Sequence, residues 1–209
     1  MNMENFGGKK PKKLEEIDRA FLERLQMLIN SSTAHFDRYE YSKVKSEAEQ
    51  FFWNHFCDNY LEIVKKRVYQ GEGNKKASAQ YTLYKSLLTI LKIFAPIMPF
   101  ITEEIYQKYF KKIEKDKSIH ISKWPKVIPI NPRNNIFTKF SLFEAILSII
   151  RKEKSKAQKS MNAECIITLR KEDFSKLKNS LKDLQNVTTA KEIKQKDFKI
   201  GNLKVEFIN

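Results

Sequence analysis

From Leu14 to about Lys159 the apolar residues of this chain recur three and four positions apart, and a helix bundle is the fold that buries such faces. Leu14, Ile17, Phe21, Leu25 and Leu28 share one face of a first helix, which Ser31, Ser32 and Thr33 weaken near its end. A second runs from Tyr41 to about Tyr69. Val44, Ala48, Phe51 or Phe52, His55 or Phe56, Asn59 or Tyr60, and Ile63 keep its rhythm, and Gly71 and Gly73 stop it. A third begins near Lys75, carries Leu83, Leu87, Leu88, Ile90, Leu91 and Phe94, and meets Pro96 and Pro99. Thr102, Glu103 and Glu104 open a fourth over about 100–112. Pro125, Pro129 and Pro132 mark 123–135 as a crossing loop. A fifth helix, about 138–159, presents Phe140, Phe143, Ile146, Leu147 and Ile150. Short connections at 71–74 and 95–100 predict antiparallel packing on a core of Phe21, Leu25, Val44, Phe51, Phe56, Leu87, Leu91, Ile101, Ile105 and Ile146.

The period changes at Glu164. Cys165-Ile166-Ile167-Thr168-Leu169 is β-rich, 172–184 reads as a short amphipathic helix, and alternation on both sides of Gly201-Asn202 predicts a hairpin from Phe198 to Phe207. The predicted fold is mainly α: an antiparallel helix bundle followed by a small α/β appendix. Its division is a flexible lead-in at 1–13, a helical domain at 14–160 and an α/β subdomain at 161–209.

Forty Lys and Arg against 25 Asp and Glu leave a net charge of +15, which favours a polyanionic partner, nucleic acid first. Catalytic and metal chemistry find little support. His55 and Cys57 lie on different sides of one helix and cannot share a metal, and each reads as a packed or half-buried helix residue. Glu103 and Glu104 read as acids at a helix N-terminus. Neither GxxxxGK[ST] nor GxGxxG occurs. Two cysteines are too few for a disulfide framework, no run is long and apolar enough to span a membrane, and the opening residues lack a secretory h-region. The expectation is a cytoplasmic chain with no catalytic residue, no metal and no cofactor of its own.

The cations cluster. Lys65, Lys66, Arg67, Lys75 and Lys76 surround the end of the second helix; Arg151, Lys152, Lys154, Lys156 and Lys159 crowd the end of the fifth. In an up-and-down bundle the second helix ends beside the start of the first, which brings Arg19 near Lys65, Lys66 and Arg67. The candidate RNA-binding set is Arg19, Lys65, Lys66, Arg67, Arg151, Lys152, Lys154 and Lys156. Arg19 and Arg67 are the expected loop contacts and the lysines backbone clamps. Pairing of Arg19 with Glu15 or Glu23 on its own helix is the competing reading. A basic helical domain for a protein partner, or for RNA in general, stays open as the alternative function.

Phe52-Trp53-Asn54-His55-Phe56-Cys57-Asp58-Asn59-Tyr60-Leu61-Glu62, with Lys65, Arg67 and Tyr69, resembles the W-x-x-F-C-D-x-Y-L-E-x-x-K segment of valyl-tRNA synthetases. Ala95-Pro96-Ile97-Met98-Pro99-Phe100-Ile101-Thr102-Glu103-Glu104-Ile105-Tyr106 is similar to the HPxMPFxTEExY block of the valyl, isoleucyl and leucyl enzymes. Ser118-Ile119, Ser122 and Trp124-Pro125 follow in the order of those enzymes; Asp18-Arg19-Ala20-Phe21-Leu22 resembles their DRWIL opening, with Ala20 replacing the aromatic, and Ile150-Arg151 their late IR helix. The likeness is strong over 14 to about 160 and weak beyond. The HIGH and KMSKS signatures are absent. The resemblance implies the anticodon-binding and C-terminal region of a class I synthetase, in the form seen in archaea. It further implies valine tRNA and the rest of the synthetase as partners, ATP as a cofactor of the parent enzyme only, and recognition without chemistry in this region.

Overall fold

The computed structural model describes residues 6–126, 137–197 and 203–208. Nine α-helices and three strands occur among them: α1 (Glu16–Asp37), α2 (Tyr41–Gln50), α3 (Glu62–Gln70), α4 (Gly73–Phe94), α5 (Pro99–Tyr109), α6 (Lys111–Glu114), α7 (Phe137–Lys156), β1 (Cys165–Arg170), α8 (Lys171–Lys176), α9 (Leu181–Thr188), β2 (Ala190–Lys196) and β3 (Leu203–Phe207). Pro129 and Pro132 of the expected crossing loop, and the first arm and turn of the expected hairpin, lie outside the described residues.

α2 and α3 form one rod, joined by a π-helical stretch, Phe51–Leu61. Its wider turn, bonded i to i+5, settles the three ambiguous pairs of the sequence pattern. Phe51, Phe56 and Tyr60, spaced by five and four, all face inward, while Trp53 is exposed. Phe21 of α1 stacks on Tyr60 with ring centroids 4.0 Å apart and meets Phe140 of α7 edge-on at 5.1 Å. Each such buried aromatic contributes about 2–3 kcal/mol by removal from water. Gly71 ends the rod: its N–H donates to the Arg67 carbonyl, and a β-carbon there would strike that same carbonyl.

The rod runs against α1 and α4, which are parallel to each other. The bundle therefore has two poles: one with the starts of α1 and α4 and the end of α3, the other with the ends of α1 and α4 and the starts of α2 and α5. The main core passes without a break from Phe21, Phe51 and Phe140 to Cys165, Ile167, Leu169 and Leu184 of the C-terminal unit. A second cluster, Tyr84, Leu88, Leu91, Tyr106, Phe110 and Ile119, joins α4 to α5. Ile101, expected in the core, is exposed, because α5 turns Thr102, Ile105 and Tyr106 inward instead. Residues 6–13, expected as a flexible lead-in, have no regular structure and lie on the bundle. Phe6 packs on Tyr84 at 5.2 Å, and Asn74 of α4 bonds the Lys13 carbonyl at 2.8 Å.

In the C-terminal unit β1 is central, parallel to β2 and antiparallel to β3, in the order β2-β1-β3. The segment expected as one helix is split into α8, a 3-10 turn (Lys178–Ser180) and α9, and it makes the crossover that parallel strands require. Leu203–Phe207 is a strand as expected, and its described partner is β1, with Leu203 opposite Leu169 and Phe207 opposite Cys165.

Candidate nucleic-acid interface

The pole where α1 begins is organised by a buried charge cluster. Asp18 is fully buried and accepts from Arg67 through both guanidinium ends, Nη1 to Oδ2 at 2.8 Å and Nη2 to Oδ1 at 2.6 Å. Tyr60 Oη donates to Asp18 Oδ1 at 2.8 Å, and Ser78 Oγ donates to the other oxygen. Asp183 of α9 approaches Arg67 Nε at 2.9 Å. Burial alone would weaken the charge on Arg67, but the bonds and charge of Asp18 outweigh it and hold the guanidinium firmly protonated. Burial pushes the Asp183 carboxyl up to about 6 against the opposing pull of Arg67.

This overturns one expectation. Arg67 is 7% exposed, and its planar fork is spent on carboxylates rather than turned to solvent. Lys154 is corrected in the same way: it is 1% exposed, and its Nζ donates to the carbonyls of Met161, Ala163 and Thr188 at 2.7, 2.8 and 2.6 Å. Burial lowers its pKa, with Cys165 acting the other way. It anchors the junction between α7 and the C-terminal unit.

The other candidates divide by placement. Lys65, Lys66, Lys152 and Lys156 are exposed; Lys65 lies 3.3 Å from Glu62 and Lys156 2.8 Å from Glu153. Arg151 is half-buried and donates to Asn59 Oδ1 at 2.9 Å and to the Asp58 carbonyl at 2.8 Å, tying α7 to the π-helical stretch. Arg19 is half-buried beside Glu23, whose carboxyl burial pushes up to about 7 against the opposing charge of Arg19.

The geometry adds residues that spacing alone did not select. Between the bundle and α9 opens a cleft of about 230 Å³ whose wall includes Lys66, Lys75, Gln70, Asn179, Lys182 and Asn186, with Glu15 and Asp183 at its base. Lys66, Lys75 and Lys182 are exposed there, and Tyr69, three residues after Lys66 on α3, is exposed as well. Lys75 carried a sequence signal, the cluster after α3. Lys182 carried none, because its place depends on α9 folding back to Arg67. Three cations with amide side chains between them suit a phosphate backbone, and an open aromatic ring suits an unstacked base.

Elsewhere His55 and Glu103 are held by polar partners. Arg24 Nη2 approaches His55 Nε2 at 2.7 Å, and His55 Nδ1 approaches Glu144 Oε1 at 2.7 Å. Arginine only donates, so these partners assign Nε2 as acceptor and Nδ1–H as donor. His55 thus acts as a connector between α1, the π-helical stretch and α7. Glu103 accepts from Ser118 Oγ at 2.8 Å and the Ile119 amide at 2.9 Å, fastening the turn after α6. Among the described residues no cluster of three or more His, Cys, Asp or Glu is placed to hold a metal, and no helix is long and apolar enough to cross a membrane.

A valine–tRNA ligase of Rickettsia felis is 39% identical over 194 residues, which cover 90% of this chain and 22% of that protein. One from Rickettsia canadensis is 42% identical over 197 residues, 91% of this chain and 23% of the relative. One from Haloarcula marismortui is 43% identical over 115 residues, 55% of this chain and 12% of the relative. The chain therefore spans less than a quarter of the length of these relatives. The family described as the anticodon-binding domain of tRNA ligase matches residues 18–169, from the buried Asp18 to Leu169 within β1. By that match the chain belongs to the anticodon-binding domain family of tRNA ligases.

Proposed function

We propose that this chain recognises the anticodon stem-loop of a valine tRNA and contributes recognition, without chemistry, to a valine–tRNA ligase that joins valine to its tRNA with ATP. The observation that carries the reading is the cleft of Lys66, Lys75 and Lys182, with Tyr69 exposed on the α3 helix that supplies Lys66, in a chain of the anticodon-binding family. Lys65, Lys152 and Lys156 extend the cationic surface, Arg19 and Arg151 support it from half-buried positions, and Tyr69 offers a stacking face. ATP and valine belong to the parent enzyme, so this chain alone is expected to catalyse no valine-dependent ATP–pyrophosphate exchange.

The test is anisotropy of a labelled valine-tRNA anticodon stem-loop against a stem-loop of equal length with another anticodon, over a salt series. Lys66→Ala, Lys75→Ala and Lys182→Ala together should weaken binding at least tenfold and lower the salt slope by up to about one per lysine. The matching triple at the other pole, Lys45→Ala, Lys123→Ala and Lys126→Ala, should change it much less. Equal losses from both triples, or equal affinity for both stem-loops, would reduce the binding to net charge and defeat the proposal.

A further inference from the structure

Ahead of α1 the chain lays a row of cations along the bundle. Phe6-Gly7-Gly8-Lys9-Lys10-Pro11-Lys12-Lys13-Leu14 holds four lysines in five positions and no acid. A run of like charge repels itself, and as a loose tail it would stay solvated. Here it is fastened at both ends. Phe6 packs on Tyr84 at 5.2 Å, against the second core cluster. Gly8 takes a φ of +74°, and a β-carbon there would strike the Ile113 side chain, so glycine is the residue that passes at this point. At the other end Asn74 clamps Lys13 twice: its Nδ2 donates to the Lys13 carbonyl at 2.8 Å, and its Oδ1 accepts from the Lys13 amide at 3.4 Å. The Glu15 amide then donates to Ser78 Oγ at 2.9 Å. The anchors Tyr84 and Asn74 stand about 15 Å apart along α4.

Lys9, Lys10, Lys12 and Lys13 are all exposed, and none has an ion-pair partner among the described residues. The surface around them is already positive. Lys112 and Lys115, on either side of Ile113, are exposed, and Glu114 between them accepts from Tyr84 Oη at 2.8 Å. Lys75 follows Asn74 on α4 and lines the cleft together with Glu15, so the fastened segment ends where the cleft begins. Holding unpaired cations against other cations costs repulsion, and a polyanion relieves it while giving up its own counterions. Lysine offers a point charge rather than the planar fork that reads a base edge. Phe6, the aromatic ring of the segment, is packed on Tyr84 rather than open to a base.

We propose that residues 9–13 form a strap of phosphate contacts that continues the cleft along α4 and holds the RNA backbone whatever its sequence. The proposal rests on the reading of this chain as an RNA-recognition module, and it divides the work: the strap supplies affinity, and discrimination between anticodons comes from elsewhere on the chain. The strap precedes residues 18–169, which carry the family match.

The test uses the whole 209-residue chain and the two stem-loops of the anisotropy series. Lys9→Gln, Lys10→Gln, Lys12→Gln and Lys13→Gln together should weaken both by the same factor, about tenfold at low salt, and lower the salt slope by up to about three. The ratio of the two affinities and the Tm should stay as in the parent, since the four side chains are exposed. Lys171→Gln, Lys176→Gln, Lys194→Gln and Lys196→Gln remove the same charge from the C-terminal unit and should change binding much less. Phe6→Ala with Asn74→Ala keeps every lysine but releases both anchors, and should cost about threefold because the strap must then be ordered on binding. Parental affinity in the strap variant, equal losses from the strap and the C-terminal set, or full affinity in the anchor variant would each overturn the proposal. A changed ratio between the stem-loops in the strap variant would make these lysines base readers and overturn it as well. The two proposals fail separately: equal affinity of the parent for both stem-loops defeats anticodon recognition, while the strap stands or falls on the losses its own variants show.

Discussion

Replacing Arg67 by alanine separates a positioning role from an RNA contact. The guanidinium is 7% exposed, bonded twice to a fully buried Asp18 and paired at 2.9 Å with Asp183. Its removal leaves the Asp18 carboxylate buried with only Tyr60 and Ser78 as donors among the bonds described above, and it exposes Asp183 to Asp18 without an intervening cation. Breaking a buried pair by deleting one partner costs about 3–5 kcal/mol, because the surviving charge stays desolvated. For a chain of this size about 2–4 °C of Tm is lost per kcal/mol, so Arg67→Ala should melt roughly 6–20 °C lower. At a temperature where the variant is still folded, stem-loop affinity should fall together with the stability, through the loosened spacing of Lys66 and Lys182 and the loss of one charge. Thermal unfolding by circular dichroism and anisotropy at low temperature measure the two quantities on one sample. An unchanged Tm together with a collapse in RNA affinity would refute the burial argument and restore Arg67 as a direct contact.

Lys154→Met removes a donor shared by three carbonyls, and should cost about 3 kcal/mol and speed hydrogen exchange in β1 and β2 ahead of α4; exchange unchanged in the strands would show that the junction does not depend on it. Asp183 has its folded pKa raised from 3.8 to about 6 by burial, so the folded state binds the extra proton between those values. The associated stability is fully present below about pH 4 and is lost as pH rises through about 6, with a slope of at most about 1.4 kcal/mol per unit. Asp183→Asn should therefore gain on the parent chain as pH rises from 4 to 7, measured by urea unfolding at each pH; parallel profiles would contradict the direction of the shift.

The bundle was legible because burial in helices follows a period that residue types reveal. Phe21, Leu25, Val44, Phe51, Phe56 and Ile146 are all buried as expected. The π-helical stretch was invisible because an α period fits either member of each pair, and only the packing of Tyr60 on Phe21 against Phe56 selects one. β2 carried almost no signal. In Ala-Lys-Glu-Ile-Lys-Gln-Lys only Ala190 is buried and Ile193 half-buried, the composition of a charged strand at the edge of a sheet. The C-terminal alternation gave the strand Leu203–Phe207 but not its pairing with β1, since alternation fixes which face is buried and says nothing of which further strand is paired. The cations showed their clustering but not their partners. Arg67 meets a carboxylate 49 positions earlier, and Lys154 meets backbone carbonyls, which no residue type announces.

The misplaced arginine explains why the cleft exists. Asp18, Arg67 and Asp183 come from α1, α3 and α9, and Ser78 of α4 joins them, so one buried cluster fixes the four elements at this pole relative to one another. Such clusters add little net stability against an apolar substitute of equal volume. Their geometric demand is strict, however, because a bidentate fork tolerates only one relative placement of its partners. Lys66 and Lys182 flank the residues of that cluster, one before Arg67 and one before Asp183, and line the same cleft. The internal pair therefore sets the spacing of the external cations. Under the proposed recognition Arg67 positions the cations of the cleft without touching the RNA, and Arg67→Lys, which keeps the charge but loses the fork, should still weaken stem-loop binding measured by anisotropy.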